Sequence, residues 1–440
     1  MIIFLWLLLV VAIIVWLTAR WNLHPFLALL LGAIAIGFLA QLSTSVLIDS
    51  LAGGFGSTLR SIGIVIAAGA LIGEYLHRSG GAKVLAHNIL EKVGEKNSPL
   101  AMSLTGYIVS IPVFCDSGFI VLSALSKAIA KRTKIPLTIL AVALATGLYA
   151  THVFVPPTPG PLAAAATIGA DIGRVLILGL IVSVPVMGAA LLWAVTVCGR
   201  YPVKYEQTID EPEMSGPLPS FKIAVAPILG PIVLIALKSV AELPSRPFGN
   251  GTMFDAAVFL GDPIIALLIG VGTAFFMVTG GQKKIQTEWM EEGLNKAGSI
   301  ILITGAGGAF GAVLRETNLS DFAEQFASID GLGVLIPFLI AAFLKTAQGS
   351  STVAIITAAA ICAPLVESLG LDSTNGLALA VLAIGAGSLT VSHVNDSYFW
   401  VVSKFSEMDT STALKTHTVA TLIMGVTGLI TIQLLAWVLL

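Results

Sequence analysis

Charge is what this chain has least of. Only 11% of its 440 residues are Asp, Glu, Lys or Arg, 56% are hydrophobic, and the mean hydropathy is +0.95. A soluble domain carries about a quarter charged residues, so a globular enzyme with one anchor is excluded and a polytopic membrane protein is expected. A net charge of −2 with no basic stripe speaks against a nucleic-acid partner. Cysteine is scarce too: Cys115, Cys198 and Cys362 are too few and too scattered for a disulfide framework or a zinc centre. No HExxH, P-loop lysine or GxSxG elbow is present, so neither an enzyme nor a resident cofactor or metal is expected. The glycine run at 305–311 lacks the preceding strand of a dinucleotide loop and has a helix-packing explanation. Without a nucleotide site, transport must draw on an ion gradient or on the solute's own gradient. Residues 1–19 hold no charged side chain, so the basic start of a cleavable signal is missing and 1–18 read as a retained first span.

What is present is a succession of apolar runs. Runs of roughly 17–25 residues, enough to span a bilayer, fall at 2–18, 24–43, 56–76, 137–155, 174–197, 222–240, 256–279, 298–315, 375–394 and 418–439. Two stretches, 98–131 and 333–368, fit differently. As one straight helix each would run roughly 50 Å; as two arms, roughly 25 Å each, short of the ~30 Å apolar core. Both carry a polar centre, CDSG at 115–118 and QGSST at 348–352. Re-entrant hairpins fit that pattern, with tips shielded by protein or a water-filled cavity.

Charge placement agrees. Basic loops at 131–134, 200–204 and 282–284, with Arg20 and the segment 77–96, all fall on one side if both hairpins return to the side they left. The positive-inside bias makes that side cytoplasmic and puts both termini outside. Arg60, Arg78 and Arg315 read as span-end anchors. The polar segment 201–221 reads as a cytoplasmic linker between halves 1–200 and 222–440. Each half then has five crossings and a hairpin, and an odd number of crossings inverts the second half.

The halves repeat in order. Residues 61–76 lie over 299–314, sharing Gly69/Gly73 and Gly307/Gly311 at a small-xxx-small spacing. Asp116-Ser117-Gly118-Phe119 lies over Gly349-Ser350-Ser351-Thr352, and Thr151-His152-Val153 over Ser392-His393-Val394. Inverted repeats with matching interruptions point to a secondary transporter with its site at the repeat interface. The prolines of 151–161 cannot continue a helix, and 392–398 crowds polar groups between apolar runs. Both read as broken helices, whose half-helix N-termini could offer free N–H groups to an anion. The expected fold is an all-α polytopic membrane protein: two inverted-topology repeats, about ten transmembrane helices, two re-entrant helical hairpins and two broken helices.

Candidate site residues follow from depth and type. Asp116 stands in the middle of a long uncharged run, where an acid marks an ion or substrate path. With it, His152 and His393 are candidates for proton coupling. Substrate-binding candidates are Ser117, Gly118, Thr151, Thr158, Gly160, Gln348, Gly349, Ser350, Ser351, Thr352, Ser392, Asn395, Asp396 and Ser397. Asp396 could equally cap the second half-helix. Lys345, a turn or two from the second tip, could draw in an anion or simply snorkel.

The stretches PVFCDSGF (112–119), THVFVPPTPGP (151–161), FLGDP (259–263), AQGSSTVAIIT (347–357) and SHVNDSYFW (392–400) resemble the gluconate permease family, in order and over essentially the whole chain. The resemblance implies a bacterial inner-membrane symporter for gluconate, related sugar acids or D-serine, generally proton-coupled. It further implies the fold of the ion transporter superfamily, a homodimer and an elevator-type movement. The first tip departs from the gluconate-type pattern, which has a longer acid followed by valine where Cys115-Asp116-Ser117-Gly118 stands. A smaller hydroxy acid such as glycerate is therefore expected beside gluconate. A sodium-coupled carboxylate or D-amino-acid carrier, and from other classes a channel or membrane-embedded enzyme, remain open on the residues alone.

Overall fold

The computed structural model describes residues 2–21, 23–203, 218–241, 248–278, 283–317, 333–393 and 396–440, and every regular element among them is helical. That follows from the composition: with no water in the bilayer core, a backbone must satisfy its own polar groups, and a helix does so within one segment. The first half comprises α1 (Ile2–Arg20), α2 (Pro25–Leu39), α3 (Thr44–Arg78), α4 (Gly81–Val93), α5 (Ser98–Val109), α6 (Cys115–Thr133), α7 (Leu137–Phe154), α8 (Pro159–Ile168) and α9 (Ile172–Thr196). The second comprises α10 (Phe221–Ala241), α11 (Thr252–Leu260), α12 (Pro263–Ala274), α13 (Lys283–Arg315), α14 (Leu335–Gln348), α15 (Ser351–Cys362), α16 (Thr374–Leu389), α17 (Ser397–Phe405), α18 (Thr410–Ala413) and α19 (Val419–Leu439).

Among the described residues, five helices are long and apolar enough to cross a membrane, or seven if each of two bent pairs is one span. One bend, of 47°, divides α3 at 60–63; the other, of 67°, separates α11 from α12. Asp262 of the FLGDP stretch sits at this second bend, where its carboxylate accepts the Ile264 N–H at 3.0 Å and caps α12. Several of the ten expected spans are thus shorter or bent helices, such as Pro25–Leu39 and Thr374–Leu389. Most of the linker and the segment before α14 lie outside the described residues.

The two longest helices, α3 and α13, pair antiparallel: Gly54 lies against Gly308 and Ala312, while Gly293 lies against Leu71 and Glu74. At one end the pair is locked by charge. Buried Glu74 accepts from Arg78 Nε at 2.9 Å and from Lys296 Nζ at 2.5 Å, and Glu292 pairs with the same two cations. Arg78 therefore does more than anchor a span end. Arg315 donates to the Thr167 carbonyl at the other end of α13.

Helix–turn–helix units, α5–α6 and α14–α15, occupy the two stretches expected as hairpins, with turns slightly displaced from the expected tips. The first turns at 110–114, so Cys115–Gly118 open its second arm, α6; Ser110 closes the turn by donating to the Val113 carbonyl at 3.0 Å. The second turns at Gly349 and Ser350, where Gly349 has φ 86°, a conformation only glycine adopts without strain. Each first arm is seated on the broken helix of its own half through a glycine. A Cβ on Gly147 of α7 would stand 2.1 Å from the Ser103 carbonyl of α5, and one on Gly387 of α16 would stand 2.2 Å from the Phe338 carbonyl of α14.

The two broken helices also form. α7 and α8 are interrupted at 155–158, and the 32-residue run Leu137–Ile168 is 94% buried over its spanning window, which makes it the core of the molecule. α16 ends at Leu389 and α17 begins at Ser397. The second pieces cross over: α8 packs on α15, and α17 packs on α6. Each broken helix thus ends on the hairpin of the other half.

Candidate functional site

The crossing-over brings both hairpin turns and both helix breaks to one buried region. Lys345, in the last turn of α14, is the one fully buried lysine or arginine among the described residues, at 1% exposure. A cation there faces the negative end of its helix, and its ammonium donates to the Gly349 carbonyl and lies 5.8 Å from the centre of the Tyr149 ring. Its counter-ion is Asp396, also buried, with Oδ2 at 2.5 Å.

Asp396 takes the capping role expected of it and pairs with Lys345 as well. Its Oδ1 accepts the Tyr398 N–H at 3.0 Å, capping α17, while Oδ2 accepts from Lys345 and from the Ser392 hydroxyl at 2.5 Å. Ser392 is itself held by groups that the sequence did not single out. Its N–H donates to Thr421 Oγ1 at 3.0 Å and its carbonyl accepts from Thr418 Oγ1 at 2.5 Å. These hydroxyls replace the helical hydrogen bonds that the break removes. Thr418 ends a π-helical turn, Leu414–Thr418, a local overwidening often found at functional sites. The same turn carries His417, fully buried, edge-on to the Tyr398 ring at 5.6 Å, with no partner on either ring nitrogen. The sequence signal for it is the polar run KTHT (415–418) at the head of the apolar run 418–439.

Asp116 lies in the first turn of α6, where an acid is favoured by the helix dipole. Its Oδ1 is buried without a hydrogen-bond partner, and both Asp396 and Lys345 act on it electrostatically. His152 is buried between Phe114 and Tyr149, at ring distances of 6.2 and 6.4 Å, with Nδ1 unpartnered. His393 differs from its counterpart: it is half-buried, with Nε2 at 3.0 Å from the Thr346 carbonyl. The two histidines match in sequence but not in environment.

Several expected binding residues instead hold the backbone. Thr151 donates to the Tyr107 carbonyl at 2.9 Å, tying α7 to α5, and Thr158 donates to the Val155 carbonyl at 2.6 Å within its own break. Gly118 packs under Leu148 and Gly160 under Ile355. Ser350 caps α15 by accepting the Val353 N–H at 3.3 Å, Ser351 is buried beside Tyr149, and Thr352 is half-buried. Ser397 is exposed at the start of α17. Asn395 lies outside the described residues, as do the side chains of Ser117 and Gln348.

The half-helix N-termini are poor anion sites, contrary to expectation. α8 starts Pro159-Gly160-Pro161, so two of its first three residues have no N–H, and the start of α17 is already occupied by the Asp396 carboxylate. The start of α15, next to Lys345, is better equipped. Two small cavities lie beside the first hairpin turn and share Ala70, Val113 and Phe114; one reaches Glu74 and Lys296, the other Thr158 and Pro159.

Comparison with known proteins places the chain in a family. A family model for GntP family permeases matches residues 2–438. An uncharacterized permease of Haemophilus influenzae is 39% identical over 417 residues, covering 90% of this chain and 84% of that protein. A gluconate permease of Pseudomonas aeruginosa is 35% identical over 442 residues, covering 98% and 96%. The fold is similar to that of the YdaH transporter of Alcanivorax borkumensis, with a TM-score of 0.69 at 16% identity, covering 94% of this chain and 99% of that one. A single buried cation among hairpin turns and helix breaks is thus set in the fold of a multi-pass membrane transporter, and the chain belongs to the GntP permease family.

Proposed function

We propose that this permease is a proton-coupled symporter that brings a small sugar acid, gluconate or a shorter hydroxy acid such as glycerate, into the cell. The observation that carries the reading is the buried Lys345–Asp396 pair beside the hydroxyl-bearing turn at 349–352, with the unpartnered Asp116 oxygen within its electrostatic reach. A cation meets a carboxylate, and Ser350, Ser351 and Thr352 suit the hydroxyls beside it. Gluconate fits the name of the Pseudomonas relative, a gluconate permease. Asp116 takes up the proton: its unpartnered oxygen is a free acceptor in a place where an uncompensated charge is costly. Protonation there offsets the substrate's charge for the crossing.

The antiparallel α3–α13 pair and the reciprocal packing of α8 on α15 and α17 on α6 support two inverted repeats, 1–200 and 222–440. In this reading the chain sits in a bacterial inner membrane with both termini outside, works as a homodimer, and carries the hairpins and broken helices across the bilayer as an elevator.

The test is Asp116→Asn in proteoliposomes. Exchange of labelled gluconate should persist while accumulation driven by a pH gradient is lost. Full gradient-driven accumulation by the variant would remove Asp116 from the coupling role, and accumulation that follows sodium would favour a sodium-coupled carrier.

A further inference from the structure

Lys345 and Asp396 raise a question that packing does not answer. Taking two charges out of water costs about as much as their attraction returns, so a buried ion pair is a weak stabiliser compared with apolar residues of the same volume. The cap on α17 would not need it either, since Asp396 caps through Oδ1 and spends Oδ2 on Lys345 and Ser392. The pair also bridges the last turn of α14 and the break before α17, alongside the His393–Thr346 contact.

The chemistry of the pair is that of the cargo. The group that Lys345 holds is a carboxylate, further hydrogen-bonded by a hydroxyl, and the Gly349 carbonyl takes another ammonium proton. A hydroxylated carboxylic acid arriving at the second hairpin turn would present the same atoms to the same cation, with the hydroxyls of Ser350, Ser351 and Thr352 beside it. Both cannot pair fully with one ammonium.

We infer that Asp396 is a tethered stand-in for the substrate's carboxylate: it occupies Lys345 in the empty site, and the incoming sugar acid displaces it. This rests on the symport reading above and names the receptor for the substrate's charged end. The charges balance. The empty pair is Lys345⁺ with Asp396⁻. The loaded site is Lys345⁺ with the substrate carboxylate, and the one proton that enters is taken up between Asp116, as above, and the oxygen of Asp396 that Lys345 has left. One negative charge and one proton enter together, so the net charge of the site is the same in both states, and no bond other than that O–H forms.

Asp116 lies within electrostatic reach of Asp396, so the entering proton relieves the repulsion between the two carboxylates. The other groups facing the pair are Cys115 on α6, Tyr149 and His152 on α7, Tyr398 on α17, and His417 on the π turn. His393, in the same break, is engaged with the Thr346 carbonyl. None of these carries a fixed negative charge at neutral pH, so only Asp396 competes for Lys345 as a like-charged mimic of the cargo. Asp116, the other acid in the group, makes no ion pair with it.

The experiment is equilibrium binding of D-gluconate and D-glycerate to the purified full chain across about pH 6 to 8. Binding coupled to one proton weakens about tenfold per pH unit where the acid pair is ionised, and wild type should follow that slope. Asp396→Asn, which keeps an oxygen for the Tyr398 N–H, should bind several-fold tighter than wild type at the alkaline end and lose the slope. Lys345→Gln should bind neither acid. Lys345→Gln/Asp396→Asn, with no charge left unpaired, serves as the folding control: it should keep wild-type thermal stability and still bind neither. Weaker binding by Asp396→Asn with the pH slope intact would overturn the inference, as would anion binding by the double variant. If wild-type binding shows no slope at all, the symport reading fails, whereas tighter binding by Asp396→Asn would still identify Asp396 as the competitor.

Discussion

Gly73 lies directly beneath the Pro112 carbonyl, where a Cβ would stand 2.4 Å from the oxygen. Four residues earlier on the same helix, Gly69 lies under the Pro157 carbonyl, where a Cβ would have 3.3 Å. One face of α3 thus carries both the first hairpin turn and the first helix break.

The two contacts predict a graded result. Gly73→Ala must displace backbone, so transport should fall by about tenfold or more, on the scale of an overpacking cost of roughly 1–3 kcal/mol. Gly69→Ala needs a shift of only a few tenths of an ångström and should retain most activity. Uptake assays on the two variants at matched expression check this; equal loss would mean that the turn does not rest on Gly73.

Thr418 and Thr421 should matter for the second break. Each donates to or accepts from the Ser392 peptide, and Thr→Val keeps the shape while removing the hydroxyl. Losing one such hydrogen bond to a buried peptide group costs about 1–3 kcal/mol. Thermal unfolding should register each change, and Thr418→Val/Thr421→Val should exceed either single variant.

The charge lock between α3 and α13 should behave as a unit. Glu74→Gln leaves Lys296 and Arg78 without their buried partner, a change worth about 3–5 kcal/mol at a buried pair and less here because both cations are partly exposed. Lys296→Met should cost less than Glu74→Gln, since Arg78 still serves the carboxylate. A double-mutant cycle read by thermal unfolding tests the coupling.

Asp409 provides a control for pH dependence. It lies exposed ahead of α18, and the Thr412 side chain and N–H, the latter at 2.8 Å, hold its carboxyl below the ordinary value of 3.8. What it contributes is present above that ordinary value and is lost only as the pH falls through the lower, folded one. Asp409→Asn should therefore leave the pH profile of uptake unchanged between about pH 6 and 8, while Asp116→Asn changes it.

Much of the fold was legible because a bilayer leaves few choices. Length, proline and misplaced polarity in 98–131, 333–368, 151–161 and 392–398 mark places where described helices end: α5 meets α6, α14 meets α15 and α7 meets α8 inside the first three, and α17 begins inside the last. The span count was less legible. Runs such as 24–43 and 375–394 are apolar throughout, but their helices stop at Leu39 and Leu389, because apolarity does not mark where a buried helix ends. At the site, Asp116, Lys345 and Asp396 stood out as charges at depth, yet the Lys345–Asp396 bond joins residues 51 apart and no local pattern encodes it. Thr418, Thr421 and His417 were missed because a threonine or histidine at the head of an apolar run looks like a span boundary. Gly118 and Gly160 were overread, since the space above each is filled by a leucine or isoleucine from a distant helix.

The most direct test of the symport account is uptake of labelled D-gluconate by the wild-type chain in sealed proteoliposomes with an inward pH gradient and no sodium. Accumulation above equilibrium that a protonophore collapses is the predicted result. Accumulation that ignores the protonophore and follows an imposed sodium gradient would contradict it.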